Sequence, residues 1–237
     1  MLRPPWGLQE ILMILVLVYL FGFLLSLFGA RLVDRVLLFF PAVRSPELAS
    51  FFLSGILQAL LLGGLVLGFV RGKHRASLAY LGLGLFSWKD LVVGLVGGLA
   101  VFSLVVLAMA LIIFLLPHHP QPQPFAEVIL QARRWQELVL PLILGGIFAP
   151  VGEELYFRGF IYPVFRSRFG PLPAVCITSL FFAALHCDLA RFLPLALGGA
   201  GLALICEKTG SLFPALAAHS TWNLAMTFLV VLGRQAL

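Results

Sequence analysis

Charge is what this sequence has least of. Only 11% of its 237 residues are Asp, Glu, Lys or Arg, where a soluble globular domain carries roughly a quarter. That leaves too little polar surface to cover a water-soluble fold. Cysteine is also scarce. Cys176, Cys187 and Cys206 show no CxxC spacing, which gives no sign of a zinc ribbon and leaves metal ligation or a disulfide as the lesser reading. Each lies in or beside an apolar run and is expected to be a buried thiol. The HExxH of zincins, the GxSxG of serine hydrolases, the phosphate-binding P-loop and the dinucleotide fingerprint are all missing. No Lys/Arg run is long enough to follow a phosphate backbone, so no nucleic-acid partner is expected. The net charge of +6 instead suits anionic lipid and the basic bias of cytoplasmic loops.

What is present is oil. Hydrophobic residues make up 61% of the chain, 22 of them Phe, and the mean hydropathy is +1.06. This is a membrane composition. Lipid-exposed backbone must satisfy its own hydrogen bonds, so the expected fold is all-α: a polytopic helical bundle with about seven or eight transmembrane segments. Residues 1–237 are read as a single membrane domain, multi-pass in the cell (inner/plasma) membrane, with membrane lipids around it. The runs 11–30, 48–70, 91–116 and 209–233 are long enough to span, and 169–187 nearly so. The run 138–152 reaches spanning length only if its helix continues through the acids that follow. The run 192–206 is short and rich in small residues. Residues 76–88 read as an interfacial or re-entrant piece, 31–47 as an interface helix broken at Pro41, and 117–124 as an extended proline-rich loop followed by a surface helix. The first run is too long and too poorly flanked to be a cleaved leader and reads as a retained helix. Strict alternation gathers Arg71, Lys73, Arg75, Lys89, Arg166 and Arg168 on one face, which leans cytoplasmic. It puts Arg31, Arg35, Arg44, Arg133 and Arg134 on the other.

Polar groups inside such a chain need a reason, because buried charge in lipid is costly unless it pairs, lines a cavity or does chemistry. Three sets stand out, all in the second half. "EELYFR" places Glu153 and Glu154 directly after an uncharged run from Leu138 to Gly152. Glu154 and Arg158 are one turn apart and suited to pair. Glu153 points about 100° away, which leaves one acid free for chemistry and one in a structural ion pair. "FAALH" ends an apolar run at His186, with Phe182 one turn earlier. "HSTWN" puts His219 and Asn223 one turn apart in the middle of the last run, too short to reach water by snorkelling. Two carboxylates, two imidazoles and an amide can activate water and steady an oxyanion. Glu153, His186 and His219 are expected within roughly 4–8 Å of one another in one cavity. A purely structural polar lock, as in a non-catalytic scaffold or immunity protein, is one other reading. A small transporter is another, although transporters more often carry broken spans in both halves. The adjacent His118 and His119 read as a solvated loop.

The three motifs, their order and the preceding "GSLFPALAA" resemble the CPBP family of intramembrane proteases, the Abi or CAAX-protease-like group related to the CAAX prenyl endopeptidase Rce1. The resemblance covers residues 149–223, with a family-like catalytic core at about 136–233. It implies a membrane endopeptidase acting on a membrane-associated, CAAX-like or other peptide substrate through glutamate-activated water. By the same resemblance, Glu153 is the general base working with His186, and His219 and Asn223 stabilise the oxyanion. Glu154 with Arg158 then holds the geometry. The family's metalloprotease naming implies Zn²⁺ on Glu153, His186 and His219. A metal-free glutamate mechanism uses the same side chains.

Overall fold

The computed structural model describes residues 3–29, 46–115, 120–132 and 135–235. Among them there is no strand, and eight helical elements follow in order. These are α1 (Leu8–Phe28), α2 (Pro46–Leu67), α3 (Trp88–Leu115), α4 (Pro124–Gln131), α5 (Trp135–Phe169), α6 (Pro171–Leu185), α7 (Phe192–Thr209) and α8 (Phe213–Gln235). All but α4 and α6 are long and apolar enough to cross a bilayer. The protein is an all-α, multi-pass membrane bundle. The expected interface helix at 31–47 falls mostly on residues outside the described set, as do His118, His119 and the second basic group of arginines.

The acidic pair does not end its helix. Residues 138–152 run on through Glu153 and Glu154 to Phe169, so α5 has 35 residues, about 52 Å at the usual helical rise. Its hydrogen-bond ladder widens twice, over Leu144–Phe148 and Leu155–Ile161. Ala149 N–H reaches back to Leu144 O and Tyr162 N–H to Phe157 O. Each wide turn ends just before a proline, Pro150 or Pro163. Proline has no N–H to give, and its ring crowds the carbonyl four residues back. Shifting the ladder by one residue relieves that conflict without breaking the helix. The segment Ala149–Glu154 is thus framed by two wide turns.

Other boundaries move for local reasons. The last run was expected to span 209–233, but Gly210 takes a left-handed turn at φ 65° and closes α7. The final helix starts at Phe213, so His219 lies about 9 Å along α8 from its start rather than at its centre. The run 169–187 yields only the 15-residue α6, because Gly170 breaks it at φ 83° and a turn follows Leu185. Within 76–88 only Leu78–Leu81 is helical before α3 begins at Trp88. The surface helix expected after the proline loop is the short α4, whose Ile129 is buried.

One end of the bundle gathers the basic connections. Lys73 Nζ pairs with Glu10 Oε1 at 2.8 Å, Leu212 N–H donates to Gly82 O, and Phe86 packs edge-on against Phe213. Trp6 stacks on Phe160 at 4.8 Å and donates to its carbonyl, fastening the N-terminus to α5. Side chains such as Phe23, Phe28, Leu107 and Phe114 are exposed, as suits a surface facing lipid.

Helices α3 and α8 pack closely. A Cβ on Gly94 would collide with Ala217, and one on Gly98 would lie 2.5 Å from Ala218 O. Small residues one turn apart let the two backbones meet. Gly98→Ala is therefore expected to destabilise the protein by about 1–3 kcal/mol. Gly64→Ala, where a Cβ meets nothing within 4 Å, should leave stability unchanged or slightly improved. Unfolding of the purified protein in detergent measures both, and equal effects would contradict the packing.

Candidate active site

The site is built outward from one buried carboxylate. Glu154 and Arg158 side chains are both 0% exposed, with Nη1 2.6 Å from Oε1. Arg158 Nη2 donates to Gly199 O on α7 at 2.9 Å. The guanidinium sits 4.9 Å from the ring centroid of Phe182 on α6, a cation–π contact strengthened by burial. His219 on α8 brings Nδ1 to within 2.8 Å of the same Glu154 oxygen. One ion pair therefore ties α5 to three other helices. A carboxylate already holding Arg158 accepts from His219, so Nδ1 carries the proton and Nε2 faces elsewhere.

Nε2 points toward the next acid. Glu153, turned away from the ion pair as its sequence position requires, has Oε2 3.8 Å from His219 Nε2 and 27% of its side chain exposed. His219 itself is buried and stacked on Trp222 at 5.5 Å. His186, just past the end of α6, lies 4.7 Å from the Phe182 ring. Its Nδ1 is 2.8 Å from Phe182 O. A carbonyl can only accept, so Nδ1 carries a proton, and the neutral ring then offers its Nε2 lone pair. Asn223 donates one Nδ2–H to Gly145 O at 2.9 Å, a carbonyl within the first wide turn. Its second N–H is not used in that bond.

Glu153, His186, His219 and Asn223 line one cavity of about 510 Å³. Glu154 and Arg158 lie behind it, fully buried. The sequence brings all six candidate residues to one place, four on the cavity wall and two supporting it. The wall is completed by helices with no motif of their own: Val18 on α1, Gln58 on α2 and Met109 on α3. Gln58 is the only amide side chain in the early apolar runs 11–30, 48–70 and 91–116, and that isolation was its only signal. Gly152 lets α5 approach α2 closely, since a Cβ there would lie 2.8 Å from Ala59 O.

Reading the sequence missed the mouth of the cavity. Gln123 and Arg191 also line it. Arg191 Nη1 is 2.7 Å from Asp188 Oδ2 and Nη2 donates to Gln121 O at 2.6 Å. Gln123 Nε2 donates to Asp188 Oδ2 at 3.4 Å. Burial acts to raise the Asp188 pKa, but Arg191's hydrogen bonds and charge outweigh it, holding the carboxyl below its ordinary value. Phe125 on α4 reaches the cavity and packs on Phe52, so α4 is part of the wall rather than a plain surface helix. The cysteines depart from expectation. Cys206 is buried, whereas Cys176 and Cys187 are exposed, and all three are free. Cys187 sits at the helix-ending turn with φ 50°.

The histidine orientations are those of metal ligands, each Nδ1–H held by a carboxylate or carbonyl with Nε2 turned outward. The ligand count is not met. Among the described residues no three His, Cys, Asp or Glu side chains are gathered closely enough to hold one ion. Glu153, His186 and His219 share the cavity without forming such a set.

Residues 135–225 match the family model described as type II CAAX prenyl endopeptidase Rce1-like. Among curated proteins, the chain is 36% identical over 80 residues to an uncharacterized 24.3 kDa protein of Escherichia coli. That match covers 31% of this chain and 35% of the relative, so it spans about a third of the relative's length. No solved structure matches the chain.

The geometry gives a stability prediction. Glu154→Ala strands a buried guanidinium and is expected to cost about 3–5 kcal/mol, while replacing Glu154 and Arg158 together with leucine recovers most of that loss. Unfolding in detergent reads both. A single substitution costing under about 1 kcal/mol would mean the pair is solvated and does not organise the site.

Proposed function

We propose that this chain, which belongs to the Rce1-like family through residues 135–225, is an intramembrane endopeptidase. It would hydrolyse a peptide bond of a membrane-associated substrate, CAAX-like or of another sequence, at the inner or plasma membrane of the cell. The observation that carries this reading is a partly exposed carboxylate beside a buried imidazole on the wall of a mostly apolar cavity, with a second carboxylate fixing that imidazole from behind.

In this mechanism a water lies between Glu153 and the His186 Nε2 lone pair. Glu153 takes its proton as general base while the oxygen attacks the scissile carbonyl. The resulting oxyanion accepts a hydrogen bond from the second Nδ2–H of Asn223, and a second from His219 Nε2 when that atom carries a proton. Glu153 then delivers its proton to the departing amine, so the water is divided between the two new ends. Glu154 and Arg158 take no proton in these steps. They keep His219 from rotating, which matters because a small misplacement of a catalytic group costs orders of magnitude in rate.

Glu153→Gln is expected to lower cleavage by about 10²-fold or more with unfolding unchanged, since Glu153 is outside the buried ion pair. The assay reconstitutes the protein in liposomes with a library of membrane-associated peptides and reads products by mass spectrometry. Full retention of cleavage would remove Glu153 from the chemistry, and full retention of cellular phenotype with no cleavage detected would favour a scaffold or transporter instead. Zn²⁺ on Glu153, His186 and His219 is tested in the same assay. The protein-only mechanism predicts activity after exhaustive chelation in protein shown to be metal-free. Loss on chelation with recovery on Zn²⁺, at about one ion per chain, would replace it with a metal mechanism.

A further inference from the structure

The cavity carries one group that the mechanism leaves unused. Arg191 is the only lysine or arginine among the described residues that line it, and 20% of its side chain is exposed. It stands immediately before α7, on the same wall as Pro194 and Leu195. Its neighbours fix its direction. Asp188 holds Nη1 at 2.7 Å, the Gln121 carbonyl holds Nη2 at 2.6 Å, and the backbone N–H of Arg191 donates to Asp188 Oδ1 at 3.1 Å. A guanidinium has more N–H donors than these bonds use. The planar fork is therefore oriented in advance with donors to spare, which is how arginine recognises carboxylates. The remaining wall is largely apolar, with Phe51, Phe125 and Met226 among it. A carboxylate entering such a cavity meets no other lysine or arginine among the described lining residues, and Glu153 would repel it from the reacting end.

We infer that Arg191 is a substrate-recognising residue that binds a carboxylate of the peptide, oriented by Asp188 and Gln121, and so sets which bond reaches Glu153. The carboxylate is either the chain terminus or an acidic side chain. This rests on the endopeptidase reading for its consequence, but the contact itself is a binding event and can be measured without turnover. Substrate binding at Arg191 differs from a purely structural clasp at the mouth in one respect. A clasp is broken equally by removing either partner, whereas recognition needs the arginine and gains from losing its neutralising acid.

The test uses the whole protein in detergent and three N-acetylated apolar tripeptides: a free acid, its amide, and an amide with one glutamate side chain. Binding is read by competition against a fluorescent copy of the free acid, on wild type, Arg191→Gln and Asp188→Asn. We expect one of the two carboxylate peptides to bind about tenfold tighter than the plain amide, and which one does so names the source. Arg191→Gln should erase the preference, while Asp188→Asn should keep or enlarge it. Absence of a preference in wild type, absence of any binding, or its survival in Arg191→Gln would overturn the inference. So would equal loss in both variants, which is the signature of a clasp. Glu153-dependent cleavage in the liposome assay is scored separately. Cleavage without carboxylate preference sinks only Arg191's role, and preference without cleavage sinks only the peptidase reading.

Discussion

Everything at the centre of this protein hangs on the Glu154–Arg158 ion pair. Taking two charges out of water costs several kcal/mol each, and their mutual attraction repays this only when geometry is close and the remaining donors are occupied. Here part of the repayment comes from α6, α7 and α8: the Phe182 ring, the Gly199 carbonyl and His219 Nδ1, while Arg158 Nε and Glu154 Oε2 are buried with no hydrogen-bond partner among the described residues. An apolar side chain would pack α5 more cheaply. What it could not do is give His219 a fixed acceptor. The ion pair is thus better understood as a specification of ring orientation than as a source of stability.

That specification passes outward in one step. With Nδ1 committed to Glu154, the other edge of the ring must face Glu153 and the cavity. Phe182 plays a parallel part for His186, using its carbonyl to hold Nδ1 and its ring to support both the imidazole and the Arg158 guanidinium. The two wide turns in α5 serve the same end. Placed before Pro150 and Pro163, they let the helix stay continuous past both prolines while Glu153 and Glu154 face different neighbours. A regular ladder could not carry Pro150 and Pro163 without a kink at each.

Much of this was legible in the sequence because it depends on local spacing. The i, i+4 relation of Glu154 and Arg158, and the 100° offset of Glu153, follow from helix geometry once the segment is helical. The apolar run lengths likewise implied an all-α bundle. The Glu154–His219 bond was not legible, because it joins residues 65 apart and spacing says nothing about the register of two helices. Gln123 and Arg191 were missed because they stand in short connections, where polar residues are ordinarily solvated. Cys176 and Cys187 were expected to be buried on the reasoning that apolar runs are interior. In a membrane protein an apolar run also faces lipid, so burial does not follow from hydrophobicity. The α6 ends show the reverse limit, since glycine and a turn shortened a run whose composition alone allowed more.

The measurement that reaches the centre most directly is the protonation of His219, read by ¹⁵N NMR of histidine-labelled protein in detergent, assigned with a His219→Gln variant. The account predicts a proton on Nδ1, hydrogen-bonded and slow to exchange, that is lost or freed in Glu154→Gln while the His186 signals stay in place. A His219 ring protonated on Nε2 alone, or one whose signals ignore Glu154, would contradict it.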